Sequence, residues 1–379
     1  MKRKNLLVLC GLSLFAHSLS FAQNDLKMKF RNSTVYAGIE VGSKGVKISL
    51  LEMGKNAKTS GAINPLKDST TNTDFITFSD STFKATLNGL TGLYTTANAT
   101  YSVPASRIFT VISSGVKTMA DKEQKSDWVT RLIDSFRVRI GDPKREVAII
   151  DPIGEARLSH LGIVPSNRRF TTFLIDIGSG NTKGGYFPYG NLNEFKLFEL
   201  TWGTKSTTNA AEKAVGDDKT LENYRRQLTR VLTGAENNEI IYAVNSSGAY
   251  PLSDNVAFSG GIAWAAATLM YPEKTDEAVI SVTYSDVLKF SERLYKEYNT
   301  LSDAAIVKAI TDPNVDKALV AKNVKTVNKV FDQRSMIAGT GLLLKIMRQF
   351  SSVYESKGFY LVKNGQVGWI SAYVDEVVE

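Results

Sequence analysis

An α/β protein built as two similar domains around one phosphate site is the fold this sequence predicts, and three observations predict it. Short apolar runs alternate with amphipathic helical stretches along the chain. Two strand–turn–strand segments, each carrying one acid into a glycine turn, recur at an offset of 136 positions, from Glu40 to Asp176. The 379 residues, 43% of them hydrophobic, suffice to bury two cores.

The clearer segment covers residues 171–187. Phe173, Leu174, Ile175 and Ile177 carry Asp176 into Gly178-Ser179-Gly180-Asn181, after which a second extended run begins. Glycines at 178 and 180 permit positive φ and leave backbone N–H groups uncovered, a shape that wraps an anion such as phosphate. Asp176 beside them suits a hard cation or the orienting of a water. Alone, the stretch reads equally as an ordinary hairpin whose acid faces solvent. The other copy, residues 36–51, has Glu40 in place of Asp176 and Gly42-Ser43-Lys44-Gly45 in place of the turn. The pair points to two domains closing on one phosphate.

At the start of the chain, Lys2, Arg3 and Lys4 precede a mostly apolar run over 6–16, and Ser20-Phe21-Ala22 places small residues before a cleavage point. This predicts a signal peptide over 1–22 and an exported protein, periplasmic or secreted. The run is too short for a membrane span and no later segment reaches about 18 apolar residues, so no membrane insertion is expected. Cys10 lies in the leader, so the mature chain has no cysteine, which excludes disulfide and thiolate chemistry; its one histidine, His160, excludes a histidine-pair metal site. Loss of the three leader cations lowers the formal charge from +8 to +5. That bias is spread rather than blocked; it suits a polyanionic ligand and an ordinary soluble protein alike, and does not point to nucleic acid.

Residues 55–73 read as a polar stretch, followed by a helix over 81–94 with Phe83, Leu87, Leu90 and Tyr94 at helical spacing. A strand over 108–112 ends in Ser113-Ser114-Gly115 and Lys117, a helix over 127–140 stops at Gly141-Asp142-Pro143, and a strand follows over 147–150. Beyond the second hairpin come a strand over 197–202, a helix beginning over 208–214 and a basic helix over 224–232. Residues 256–259, Gly260-Gly261 and 262–270 read as strand, turn and helix; the helix N-terminus favours an anion or nucleotide, and a turn needed for packing is an equal reading. Surface helices are expected over 284–298 and 303–310, a helix over 336–350, and a closing hairpin of 359–362 with 367–373 around Asn364-Gly365.

Four motifs in this order carry a family resemblance: Glu40-Val41-Gly42-Ser43-Lys44-Gly45, Ser113-Ser114-Gly115-Val116-Lys117, Gly154-Glu155-Ala156-Arg157-Leu158 and Asp176-Ile177-Gly178-Ser179-Gly180-Asn181-Thr182-Lys183. Phe258-Ser259-Gly260-Gly261-Ile262-Ala263 and Arg334-Ser335-Met336-Ile337-Ala338-Gly339 extend it. The chain resembles the exopolyphosphatase and guanosine-pentaphosphate phosphohydrolase family of the actin-like superfamily, over nearly the whole mature length. The resemblance implies two ribonuclease-H-like domains, over residues 34–165 and 166–379, with polyphosphate or a nucleotide phosphate chain in the cleft between them. It implies Glu155 as catalytic base, and Glu40 and Asp176 as holders of Mg²⁺ or positioners of the attacking water. Gly42, Ser43, Lys44, Gly45, Lys117, Gly178, Ser179, Gly180 and Asn181 would contact phosphate, and Gly260 and Gly261 would line a cofactor pocket.

Among the chain's departures from the family pattern, Glu40 stands for Asp, Lys44 for Asn, Lys117 for Arg, and Lys183 for Glu. A cation in place of a carboxylate at 183 weakens metal binding and favours an anion. Two functions are therefore carried forward: an exported exopolyphosphatase-like hydrolase, and a noncatalytic phosphate-chain or nucleotide sensor. An assembly-forming actin-like protein is a third, and a homodimer is one arrangement the sequence leaves open.

Overall fold

The structure is a computed structural model that describes residues 26–43, 45–55, 57, 63–248, 253–351, 357–363, 365 and 368–377. The leader over 1–22, Lys44 of the first turn and Asn364 of the expected closing hairpin lie outside the described residues.

Among those residues, one sheet is formed by β1 (Thr34–Val41), β2 (Gly45–Met53), β3 (Ile63–Asn72), β4 (Ile108–Ile112) and β5 (Ala148–Ile149), in the order β3-β2-β1-β4-β5. The other is formed by β6 (Thr172–Ile177), β7 (Thr182–Tyr186), β8 (Lys196–Leu200), β9 (Asn255–Ser259), β10 (Val279–Val282) and β11 (Gly358–Val362), in the order β8-β7-β6-β9-β11-β10. In each sheet the first two pairings are antiparallel, β1 with β2 and β2 with β3, β6 with β7 and β7 with β8. The next two are parallel, β1 with β4 and β4 with β5, β6 with β9 and β9 with β11. The two halves are thus one topology used twice, with β10 added at the edge of the second. The two acid-tipped hairpins are the first hairpin of each copy.

The first sheet is covered by α1 (Asp80–Thr95), α2 (Ser114–Lys122) and α3 (Ser126–Ile140). Ile39, Val41, Ile48 and Leu50 pack there with Leu87 and Leu90 of α1 and Leu132 and Phe136 of α3. Helix α4 (Pro152–Ile163) joins the halves. The second half adds α5 (Thr204–Val215), α6 (Leu221–Ala235), α7 (Ile241–Ser246), α8 (Gly261–Met270), α9 (Tyr284–Lys296), α10 (Asp303–Ala309), α11 (Lys317–Val330) and α12 (Gln333–Ser351). Its core joins Phe173, Ile175 and Phe258 to Ala265 and Ala266 of α8 and Leu342 and Leu343 of α12. Helices α9 and α10, expected at the surface, bury one face each in this core, through Val287, Phe290, Leu294 and Ile306.

Three sequence expectations are corrected. The polar stretch over 55–73 contains β3, an edge strand whose last six side chains are exposed; backbone pairing with β2 alone suffices for it, so no apolar alternation marks it. The closing hairpin is replaced after β11 by helix α13 (Gly368–Val377). Its apolar residues fall at 369, 370, 373 and 374, a short cluster that periodicity alone does not assign to strand or helix. Third, α13 does not lie with the second sheet, as the boundary at 165/166 assigned it. Trp369, Ile370, Ala372 and Val374 pack with Leu51 and Val111 of the first sheet and Leu158 of α4. In the described residues no helix is long and apolar enough to cross a membrane.

Candidate functional site: an acid and lysine cluster between the glycine turns

Each hairpin places an acid and a lysine directly opposite one another. Glu40 of β1 faces Lys47 of β2, and Asp176 of β6 faces Lys183 of β7. Both pairs obey the 136-residue offset, and cross-strand partners project from the same face of a sheet. The turns close alike: Gly42 N–H donates to Gly45 O at 2.9 Å and Gly178 N–H to Asn181 O at 3.0 Å. These two N–H groups, read from the sequence as phosphate donors, therefore serve the turns themselves.

Glu155 enters from α4. That helix starts where it does because Asp151 caps it, accepting from Gly154 N–H at 2.6 Å, and Pro152 follows at the first helical position. Glu155 consequently sits in the first helical turn and is buried. One of its oxygens, Oε1, pairs with Lys183 Nζ; the other, Oε2, accepts from Ser114 N–H at the start of α2 at 2.9 Å. Lys183 Nζ also donates to Ser114 Oγ at 3.2 Å. A lysine of the second sheet thus bridges to α2 and α4, with side-chain exposures of 13% for Lys183 and 8% for Glu155.

The remaining members are held more loosely. Lys47 Nζ lies 3.9 Å from Glu40 Oε2, and its side chain is 54% exposed. Asp176 Oδ1 accepts from Ser259 Oγ of the adjacent strand β9 at 3.2 Å. Burial pushes the Glu40 carboxyl above the ordinary range, with Lys47 opposing and Glu155 reinforcing the shift. Burial raises Asp176 likewise, against the pull of Lys183. For Glu155, burial acts upward, but the charge and hydrogen bonds of Lys183 and Ser114 outweigh it and hold the group below its usual value. Burial lowers Lys183, while Glu155 and Asp176 together raise it further, so it stays charged.

Several residues singled out from the sequence have other duties. Lys117 is paired with Asp121 one helical turn along α2, at 2.6 Å and on the surface, so it is not part of the cluster. Gly260 has φ +90°, and a Cβ there would lie 2.3 Å from Ile177 O and 2.6 Å from Asp176 Oδ1. A Cβ on Gly261 would meet Phe331 at 3.1 Å. Close packing accounts for both glycines, beside Asp176 for Gly260 and against Phe331 for Gly261, and the expected cofactor pocket has no support from them. Ser43 lies against Gly115 at the start of α2, where a Cβ would come within 2.9 Å of Ser43 Oγ. Ser179 O accepts from the N–H groups of Lys205 and Ser206, and Gly178 O from Thr204 N–H, so the second turn caps α5. Beside Gly180, space is open within 4 Å of a Cβ position. A cavity of about 340 Å³ lined by Leu269, Met270, Arg293 and Ile306 shares no residue with the site.

Lys47, Ser114 and Ser259 were missed. Lys47 was legible, since it lies 136 positions before Lys183 as Glu40 does before Asp176. Ser114 and Ser259 follow only from the register and the helix start that the fold imposes.

The carboxylates do not fit Mg²⁺. Among the described residues no group of three or more His, Cys, Asp or Glu side chains forms a metal-ligand set. The Lys183 ammonium is already on Glu155 and acts electrostatically on Asp176 and Glu40. Glu40 and Asp176, expected as the holders of Mg²⁺, thus share their cluster with that ammonium.

Comparison with solved structures matches this twice-used topology over nearly its whole length. An Aquifex aeolicus member of the Ppx/GppA protein family is 15% identical, with 91% of this chain and 98% of that one covered and a TM-score of 0.61. The chain has the Ppx/GppA fold. The type II variant of the Aquifex aeolicus Ppx/GppA phosphatase is 16% identical over 90% of this chain and 99% of that one, with a TM-score of 0.60. An exopolyphosphatase from Cytophaga hutchinsonii is 12% identical over 90% and 98%, with a TM-score of 0.53. No family model and no curated protein matches the sequence. Within the Ppx/GppA fold, the cluster lies where the two glycine turns and α4 meet.

Proposed function

We propose that the site between the glycine turns binds a phosphate chain, such as polyphosphate or the phosphate chain of a nucleotide, and does not hydrolyse it. The observation that carries this reading is the Lys183–Glu155 ion pair. A general base must offer an oxygen of sufficient proton affinity to the water it deprotonates. Glu155 has one oxygen on Lys183 and the other on Ser114 N–H, and both contacts lower that affinity. The ligand class is supported by the paired glycine turns and by the likeness to structures described as a Ppx/GppA phosphatase and an exopolyphosphatase.

The test is calorimetric titration of the purified protein with long-chain polyphosphate, alongside phosphate release with and without Mg²⁺. Saturable binding without release is expected. Release that requires Mg²⁺ and disappears in Glu155→Gln would replace this reading with that of an exopolyphosphatase.

Affinity should also depend on pH. Glu40 and Asp176 have raised pKa values, so they take up protons at a higher pH than ordinary carboxylates, and each proton removes a negative charge facing the anion. Lys47 and Lys183 are raised and stay charged. Polyphosphate affinity is therefore expected to be higher at mildly acidic than at neutral pH. Titrations across that range check it; weaker binding in acid would contradict the charge assignment.

A further inference from the structure

We propose that Lys183 is a resident cation that takes the place of a divalent metal, so that the site works without one. The inference rests on reading the cleft as a phosphate site for its biological ligand, but its test needs no phosphate.

The argument starts from position. Lys183 stands directly across from Asp176 in the β6–β7 register, and its side chain reaches to Glu155 and Ser114 on α4 and α2. An ammonium in that place satisfies three demands that would otherwise need a cation. It neutralises Glu155, which is buried and would be costly to leave ionised alone. It partly offsets Asp176 and Glu40, whose buried carboxylates both feel it. It also ties the second sheet to two helices of the other half, as a shared metal ion would.

The two lysines then stand in the way of a further cation. The cluster holds Glu40, Glu155 and Asp176 against Lys47 and Lys183, so three carboxylates already face two ammonium groups. A divalent ion entering here would have to displace Lys183 from Glu155 and then sit beside two like charges. Removing the Lys183 side chain leaves three carboxylates facing Lys47 alone, with Glu155 Oε1 deprived of its partner.

The experiment is electron paramagnetic resonance of Mn²⁺ titrated into the full-length purified protein, with Mn²⁺ as the probe. Wild type is expected to leave the free Mn²⁺ signal unchanged up to millimolar concentration. Lys183→Met, which leaves buried Glu155 Oε1 without its partner, is expected to melt at a lower temperature than wild type, and Lys183→Arg, which keeps a cation in place, close to it. Stoichiometric Mn²⁺ uptake by wild type would overturn the proposal, and so would a Lys183→Met that melts as wild type does. Should Lys183→Met fail to fold, Lys183→Gln and the wild-type titration carry the same two outcomes. A wild type that ignores Mn²⁺ and also ignores polyphosphate would leave the resident cation standing and remove the phosphate reading.

Discussion

Gly162→Ala is expected to destabilise the protein by about 3 kcal/mol or more, because the added methyl group has backbone on its far side rather than a movable side chain. A Cβ at 162 would lie 1.7 Å from Gly368 O and 2.5 Å from Gly368 C. These residues mark the crossing of α4 and α13, the two helices that follow the last parallel strand of each half, β5 and β11. Neither can yield locally: a Cβ on Gly368 would itself meet Ile163 at 2.3 Å, and one on Gly38 of β1 would meet Ile370 at 2.2 Å. The helices must separate, and Glu155 lies two turns from Gly162 on the same helix, so the Lys183 contact should loosen as well. Urea unfolding checks the first effect through a lower midpoint at unchanged slope. An unchanged midpoint would mean that the two helices do not cross in backbone contact at these glycines.

Glu52→Ala is the second large effect, again about 3 kcal/mol or more, since it leaves several buried donors without an acceptor. Glu52 is fully buried in β2 and, among the described residues, has no cationic partner in its hydrogen bonds. Its Oε2 accepts from Lys29 N–H at 2.7 Å and Asn64 Nδ2 at 2.8 Å, and its Oε1 from Phe30 N–H at 2.8 Å and Ser33 Oγ at 2.7 Å. One carboxylate therefore fastens the segment leading into β1 to the edge of the first sheet. Burial acts to raise its pKa, but these hydrogen bonds outweigh burial and hold it below the ordinary value. A depressed folded pKa means that the stabilisation is complete above the unfolded value and is lost as pH falls through the folded one. Wild type should accordingly lose more stability in acid than Glu52→Gln does. Parallel acid dependence of the two would show that the carboxylate is not charged in the folded protein.

The two acid-tipped glycine turns were legible because their requirements are local. Glycine is needed where a turn is tight, an acid beside it stands out against β-branched neighbours, and a repeat offset is visible along a line of text. The same offset pairs Lys47 with Lys183. Most helices were legible through their apolar stripes, and the start of α4 is written in Asp151 and Pro152. The edge strand β3 was hidden because an edge needs backbone partners rather than apolar side chains, and α13 because its apolar residues are too few to show a period.

By itself, then, the sequence determined the alternation of strands and helices, the duplicated hairpins and the acids and lysines at their tips, since each depends on residues close together along the chain. Only the tertiary structure decided what those charges do. Lys183 and Glu155 are 28 positions apart, and Ser114 is 41 from Glu155. Whether such a glutamate is a free base, a metal ligand or half of an ion pair depends on which side chain lies across the cleft. That is set by the strand register that puts Lys183 opposite Asp176 and by the packing of α4 between the two sheets, long-range facts that no local pattern encodes.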